Sequence, residues 1–186
     1  RIAVTDQNGN SLHGVGPQAS ADGRYVAFIA GPTLPRDNNN NGGDSFRDVF
    51  LYDRLTNTAT SMVDAIVGTT LHAGETFGSL PSITADGHYV VFDGKYQTQV
   101  TINNQGNQPF TITTNQRETF IYDSHTGITT RLGDNAGNPS ISADGHYVAV
   151  QAAAYVTVGT GNNTFTEESQ VLKVIDRTTG ATVDQI

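Results

Sequence analysis

The sequence predicts an all-β protein of three four-stranded antiparallel sheets, and two recurring words carry that prediction. The first, Pro17-Gln-Ala-Ser-Ala-Asp-Gly-Arg-Tyr-Val-Ala-Phe28, returns in nearly the same form at Pro81 to Phe92 and at Pro139 to Val150. In each copy a proline stands five residues ahead of the aspartate, and Ala-Asp-Gly leads into Arg or His, then Tyr and Val. Asp-Gly between short apolar runs is a strong hairpin signal, because glycine takes the positive φ of the turn and aspartate bonds its own backbone. The second word begins at Phe50, Phe120 and Lys173, with Asn57, Gly127 and Gly180 each four residues past Asp53, Asp123 and Asp176. That offset is where a second hairpin needs a left-handed residue.

Two hairpins per unit make a four-stranded blade, and repeated blades are the signature of a β-propeller. The two words resemble the TolB-type, WD40-like propeller repeat of bacterial proteins. There, Pro-x-Ile-Ser-x-Asp-Gly-x-x-Val-Ala-Phe is followed by a Val-Phe-x-x-Asp-x-x-Thr-Gly hairpin. That resemblance implies fold and says little of function.

Taken in order, Arg1 to Asp6 repeats the pattern of Thr58 to Asp64 and Thr129 to Asp134, so residues 1–10 read as the tail of a preceding blade. The blades themselves fall at about 16–64, 80–134 and 138–186, in one repeat domain. In the first, strands are expected near Gln18, at Tyr25 to Ala30, Asp48 to Arg54 and Thr58 to Val63. Repeat spacing exceeds the ~40 to 45 residues of a simple blade. The excess predicts a long loop between the second and third strands of every blade. Alternating Thr and Ile at Val100 to Ile102 and Phe110 to Thr113 predicts that the second of these is itself a hairpin. Helix is expected to be essentially absent. Three blades fall short of the four to eight that usually close a ring. Flanking chain, pairing between chains or wrapping loops would each complete it.

With 186 residues, 36% of them hydrophobic, the chain is long enough to bury a substantial core. Its net charge of −8 argues against nucleic acid and anionic membranes, which need clustered positive charge. Cysteine is absent, so disulfides and thiolate metal sites are too. No apolar run approaches the roughly 20 residues of a membrane span. Opening on Arg1 with no leader is expected of a piece of a longer chain, whose neighbouring domains would be its partners.

One stretch has metal-ligand spacing. Asp37-Asn-Asn-Asn-Asn-Gly-Gly-Asp-Ser-Phe-Arg-Asp48 fits the calcium-loop pattern. Oxygen ligands come from Asp37, Asn39 and Asn41, a backbone carbonyl from Gly43, and the closing acid from Asp48, with Asp44 either an alternative ligand or solvent-facing. Two amides in place of carboxylates and a short closing acid point to the weak affinity of extracellular modules, ~0.1 to 1 mM. The bland alternative is a flexible Asn/Gly loop. Asp22, Asp86 and Asp144, like Asp53, Asp123 and Asp176, recur at fixed turn positions and read as backbone caps. His88 and His146 replace Arg24 and read as surface or inter-strand groups. His72 and Glu75 lack the second histidine of a helical zinc site. With no nucleophile elbow or phosphate loop, no enzyme is expected.

A cysteine-free, acidic, Asn/Thr/Gly-rich β-repeat with such a loop also resembles the ligand-binding modules of giant bacterial RTX-type adhesins. The resemblance implies a calcium-dependent, extracellular module that binds a peptide or glycan on a target cell, with Tyr96, Arg117, Glu118, Glu167 and Glu168 on the long loops as ligand contacts. The alternatives are a TolB-like fragment serving protein–protein interaction, and an accessory domain of a hydrolase.

Overall fold

The computed structural model describes residues 4–5, 11–32, 48–63, 80–102, 110–133, 136–160 and 163–186. Twelve strands form three four-stranded antiparallel sheets, with no helix among the described residues. Blade 1 is β1 (Leu12–Ala19), β2 (Tyr25–Pro32), β3 (Asp48–Asp53) and β4 (Thr58–Ser61). Blade 2 is β5 (Ser82–Ile83), β6 (Tyr89–Ile102), β7 (Phe110–Asp123) and β8 (Ile128–Gly133). Blade 3 is β9 (Ala136–Ile141), β10 (Tyr147–Thr160), β11 (Asn163–Asp176) and β12 (Thr182–Gln185). Strands pair in chain order within each blade, the up-and-down arrangement the two hairpin words predict.

The left-handed residues stand where the turns require them, Asn57, Gly127 and Gly180 having φ of 59°, 69° and 70°. In the first hairpins the glycine also permits close approach. A Cβ on Gly87 would collide with the Tyr25 ring of blade 1, and one on Gly145 would lie 3.1 Å from the Tyr89 ring of blade 2.

Successive strand residues face opposite ways, so a blade can build a core on each face. Ala27, Val49 and Leu51 of blade 1 meet Val90, Phe92, Phe120 and Tyr122 of blade 2, sealed by Met62. Val91 and Ile121 on the far side of blade 2 meet Val148, Val150 and Ile175 of blade 3, with Leu132 packed alongside. Burying each Val, Leu, Ile, Phe or Met among them is worth about 1.5–3 kcal/mol. The remaining face of blade 1, Phe28, Phe50 and Tyr52, is covered by Val4 and Leu12. Val4 therefore does for blade 1 what Met62 does for blade 2.

The long-loop expectation needs correcting for blades 2 and 3. β6 and β7 pair without interruption from Tyr89↔Asp123 to Ile102↔Phe110, so the second insertion is a hairpin arm, as its alternation predicts. β10 and β11 do likewise from Tyr147↔Asp176 to Thr160↔Asn163, where a loop was expected. The β-branched run Val156-Thr-Val158 suits a pleated ladder, and pairing satisfies backbone groups a loop would leave to water.

Candidate functional site

The three Ala-Asp-Gly turns line up at one end of the blades. The Ala21 N–H donates to the Ala85 carbonyl at 2.8 Å, and the Ala85 N–H to the Ala143 carbonyl at 2.9 Å. Within each turn a hydroxyl locks the aspartate. Ser20, Thr84 and Ser142 each donate to the following carboxylate at 2.6 Å and accept the N–H of Tyr25, Tyr89 or Tyr147 at 3.0 Å. The same carboxylates accept the backbone N–H of Arg24, His88 and His146. These hydroxyl and amide bonds hold Asp22, Asp86 and Asp144 below the usual carboxylate range. Backbone capping is thus their role.

Asp53, Asp123 and Asp176 cap the second hairpins in the same way, accepting the N–H of Leu55, His125 and Thr178, each at 2.8 Å. Their outward partner changes from blade to blade. Arg24 makes a forked pair with Asp53, at 3.2 and 2.8 Å, whose hydrogen bonds lower the Asp53 carboxyl. In blade 2 His88 Nε2 stands 3.0 Å from Asp123 Oδ1, and the His125 ring lies edge-on to the His88 ring at 3.8 Å. Burial pushes the Asp123 carboxyl up, but the His125 and Thr126 amides and His88 outweigh it, and the net direction is down.

Beside Asp123, between blades 2 and 3, opens a cleft of about 350 Å³ lined by Tyr89, Ile121, Asp123, Ile128, Leu132 and Arg177. Arg177 is held over the Tyr89 ring at 4.0 Å and donates to the Gly145 carbonyl at 2.6 Å. The cleft thus offers an apolar floor between one cation and one anion. Sequence reading passed over His125 and Arg177. His125 stands out only as a departure from Leu55 and Thr178 at its position, and Arg177 only as a recurrence of Arg54 where blade 2 has Ser124.

The sequence-assigned ligand contacts lie on strands, not loops. Tyr96 is on β6 opposite Gln116, and Glu167 and Glu168 are on β11 opposite Val156 and Tyr155. Glu118 is fully buried, its carboxylate held by Arg131 Nε at 3.0 Å and Nη2 at 2.9 Å. Arg117 pairs with buried Asp93, donates to Asn138 Oδ1 at 2.8 Å, and so ties β6, β7 and β9 together. Both ion pairs brace the blade 2 hairpin. Of the calcium-pattern residues only Asp48 is described, half-buried at the head of β3 opposite Ala30. Asp37, Asn39, Asn41, Gly43 and Asp44 lie outside the described residues, as do His72 and Glu75.

No protein-family model and no curated protein matches the chain. Among solved structures, hydrazine synthase of Kuenenia stuttgartiensis aligns with 88% of this chain and 39% of its own, at 14% identity and a TM-score of 0.43. One of two prolyl endopeptidases aligns over 95% of this chain and 28% of its own, at 13% identity and a TM-score of 0.43. TolB of Acinetobacter baumannii aligns over 91% and 42%, at 14% identity and a TM-score of 0.29. This chain spans less than half the length of each.

Proposed function

We propose that the chain is a protein–protein interaction module that docks a further blade on the open sheet face of blade 3. The observation that carries this is a comparison of equivalent positions. Val49 and Thr119 are 1% and 0% exposed, whereas their equivalent Leu172 is 45% exposed. Met62 is fully buried, whereas Ile186, bonded to Leu172 as Met62 is to Val49, is 78% exposed. Tyr147 is 45% exposed where Tyr25 and Tyr89 sit half-buried against the next blade's glycine. Large apolar residues exposed at positions that the other blades bury mark an interaction surface.

The occupant that fits is blade 1 of a second copy. Its Ala21 carbonyl continues the ladder from the Ala143 N–H. Its Gly23 has room for the Tyr147 ring, since a Cβ there would meet only Arg54, at 3.5 Å. Arg54 already donates to the Gly23 carbonyl, as Arg177 does to Gly145, and so would cover Tyr147 as Arg177 covers Tyr89. Ile186 of the copy that offers blade 3 takes the place of Val4 on the incoming blade 1. Such a contact is head-to-tail, and two copies give six blades, within the usual range for a closed ring. Sedimentation should give twice the 19.8 kDa chain mass. Tyr147→Asp should return the chain to a monomer, while Leu55→Asp, on an exposed turn, should not. A monomeric parent chain overturns the proposal.

A second reading rests on the spacing of Asp37 to Asp48. Calcium held there, between β2 and β3, would support peptide or glycan binding outside the cell. Calcium should then raise the melting temperature, and Asp37→Ala should abolish the rise.

A further inference from the structure

We propose that His88, Asp123 and His125 form a binding site for a first-row transition-metal ion, with zinc as the test case. One ligand atom from each of the three lies within 4.8 Å of the other two. Blade 1 has Arg24, Asp53 and Leu55 at these positions, and blade 3 has His146, Asp176 and Thr178. Only blade 2 brings two imidazoles and a carboxylate to one point among the described residues.

The ligands are already oriented. Asp123 Oδ1 accepts the N–H of His125 at 2.8 Å and of Thr126 at 3.2 Å, which fixes the carboxylate. No hydrogen bond from a described residue reaches its Oδ2. The His88 ring stacks on Tyr89 at 3.9 Å, which sets the plane of the imidazole. Zinc takes neutral imidazole and carboxylate ligands at ~2.0–2.2 Å, so two atoms of a tetrahedral set stand about 3.3 Å apart. His88 Nε2 and Asp123 Oδ1, at 3.0 Å, need to part by only about 0.3 Å. The ion takes the place of the proton they share. His125 is exposed, which leaves the fourth position open to water, the arrangement of a site that exchanges ligands. Imidazole selects zinc, copper or nickel over calcium, so the site is chemically separate from the acids and amides of residues 37–48.

The test is calorimetric titration of the 186-residue chain with zinc chloride at about pH 7.5, where imidazole is neutral. One ion per chain should bind, and about 10 mM calcium should not displace it. His88→Arg rebuilds the Arg24–Asp53 pair of blade 1, so this variant keeps its fold, which a thermal melt checks. It should lose at least about tenfold in zinc affinity. His125→Ala should lose a similar factor, and His146→Arg should bind as the parent does. Absence of zinc binding overturns the proposal. So does a His88→Arg chain that folds and binds within about twofold of the parent.

Discussion

Thr84 does two jobs with one hydroxyl, donating to Asp86 at 2.6 Å and accepting the Tyr89 N–H at 3.0 Å, and it is only 1% exposed. Thr84→Val keeps the shape and strands both partners, so it should cost about 1–3 kcal/mol, read as a lower urea midpoint at unchanged slope. The same bond sets the acid response. The Thr84 hydroxyl first, then the His88 amide, lowers the Asp86 carboxyl, and five other turn aspartates are lowered too. A carboxyl depressed in the folded state adds stability that is full above its unfolded value of ~3.9 and is lost as pH falls through the folded one. Stability should therefore hold from neutrality to about pH 4 and drop below it, less steeply in Thr84→Val. A flat profile from about pH 5 to 2 would contradict the capping role. The caps were legible in sequence because they repeat with their hydroxyl partner. The His88–Asp123–His125 cluster was not, since spacing along the chain does not say which turn meets which across 35 residues.

Hairpin arms, rather than loops, fill the insertions of blades 2 and 3. The first was legible from alternating Thr and Ile. The second was not, because Gly159, Gly161 and two asparagines read as a loop although Tyr155 to Val158 pair throughout. That difference also explains the assignment of Arg117 and Glu118 as ligand contacts. A charged residue near an expected loop looks available, and nothing local reveals Asp93 across the strand pair or Arg131 on β8. Both acids are fully buried against an arginine, and removing one partner of such a pair costs about 3–5 kcal/mol because the other charge is left uncompensated. Arg117→Met should therefore lower the thermal midpoint sharply. Adding Asp93→Asn should recover part of the loss, since the stranded charge is gone. A double variant no more stable than the single one would mean that Arg117 acts through packing, for instance over Gly137, where a Cβ would collide with its side chain.

Burial is graded along the stack of blades. Val90 and Val91, adjacent and on opposite faces, are both fully buried because blade 2 has a neighbour on each side, whereas every residue of β12 is exposed. Amide exchange follows local opening, so β6 and β7 around Val91 and Ile121 should be the slowest segments and β12 the fastest. Docking of a second copy would alter this order at one informative place. Ala21 and Ala85 donate to the next turn, while among the described residues no acceptor meets the equivalent Ala143 N–H. At low concentration Ala143 should exchange as an exposed amide. As the concentration rises through the range where the chain associates, Ala143 and the amides beside Leu172 should slow together, and Leu55, on an exposed turn, should not change. Association without slowing at Ala143 would mean that the copies meet through another surface, because the ladder requires that amide to find the Ala21 carbonyl of its partner.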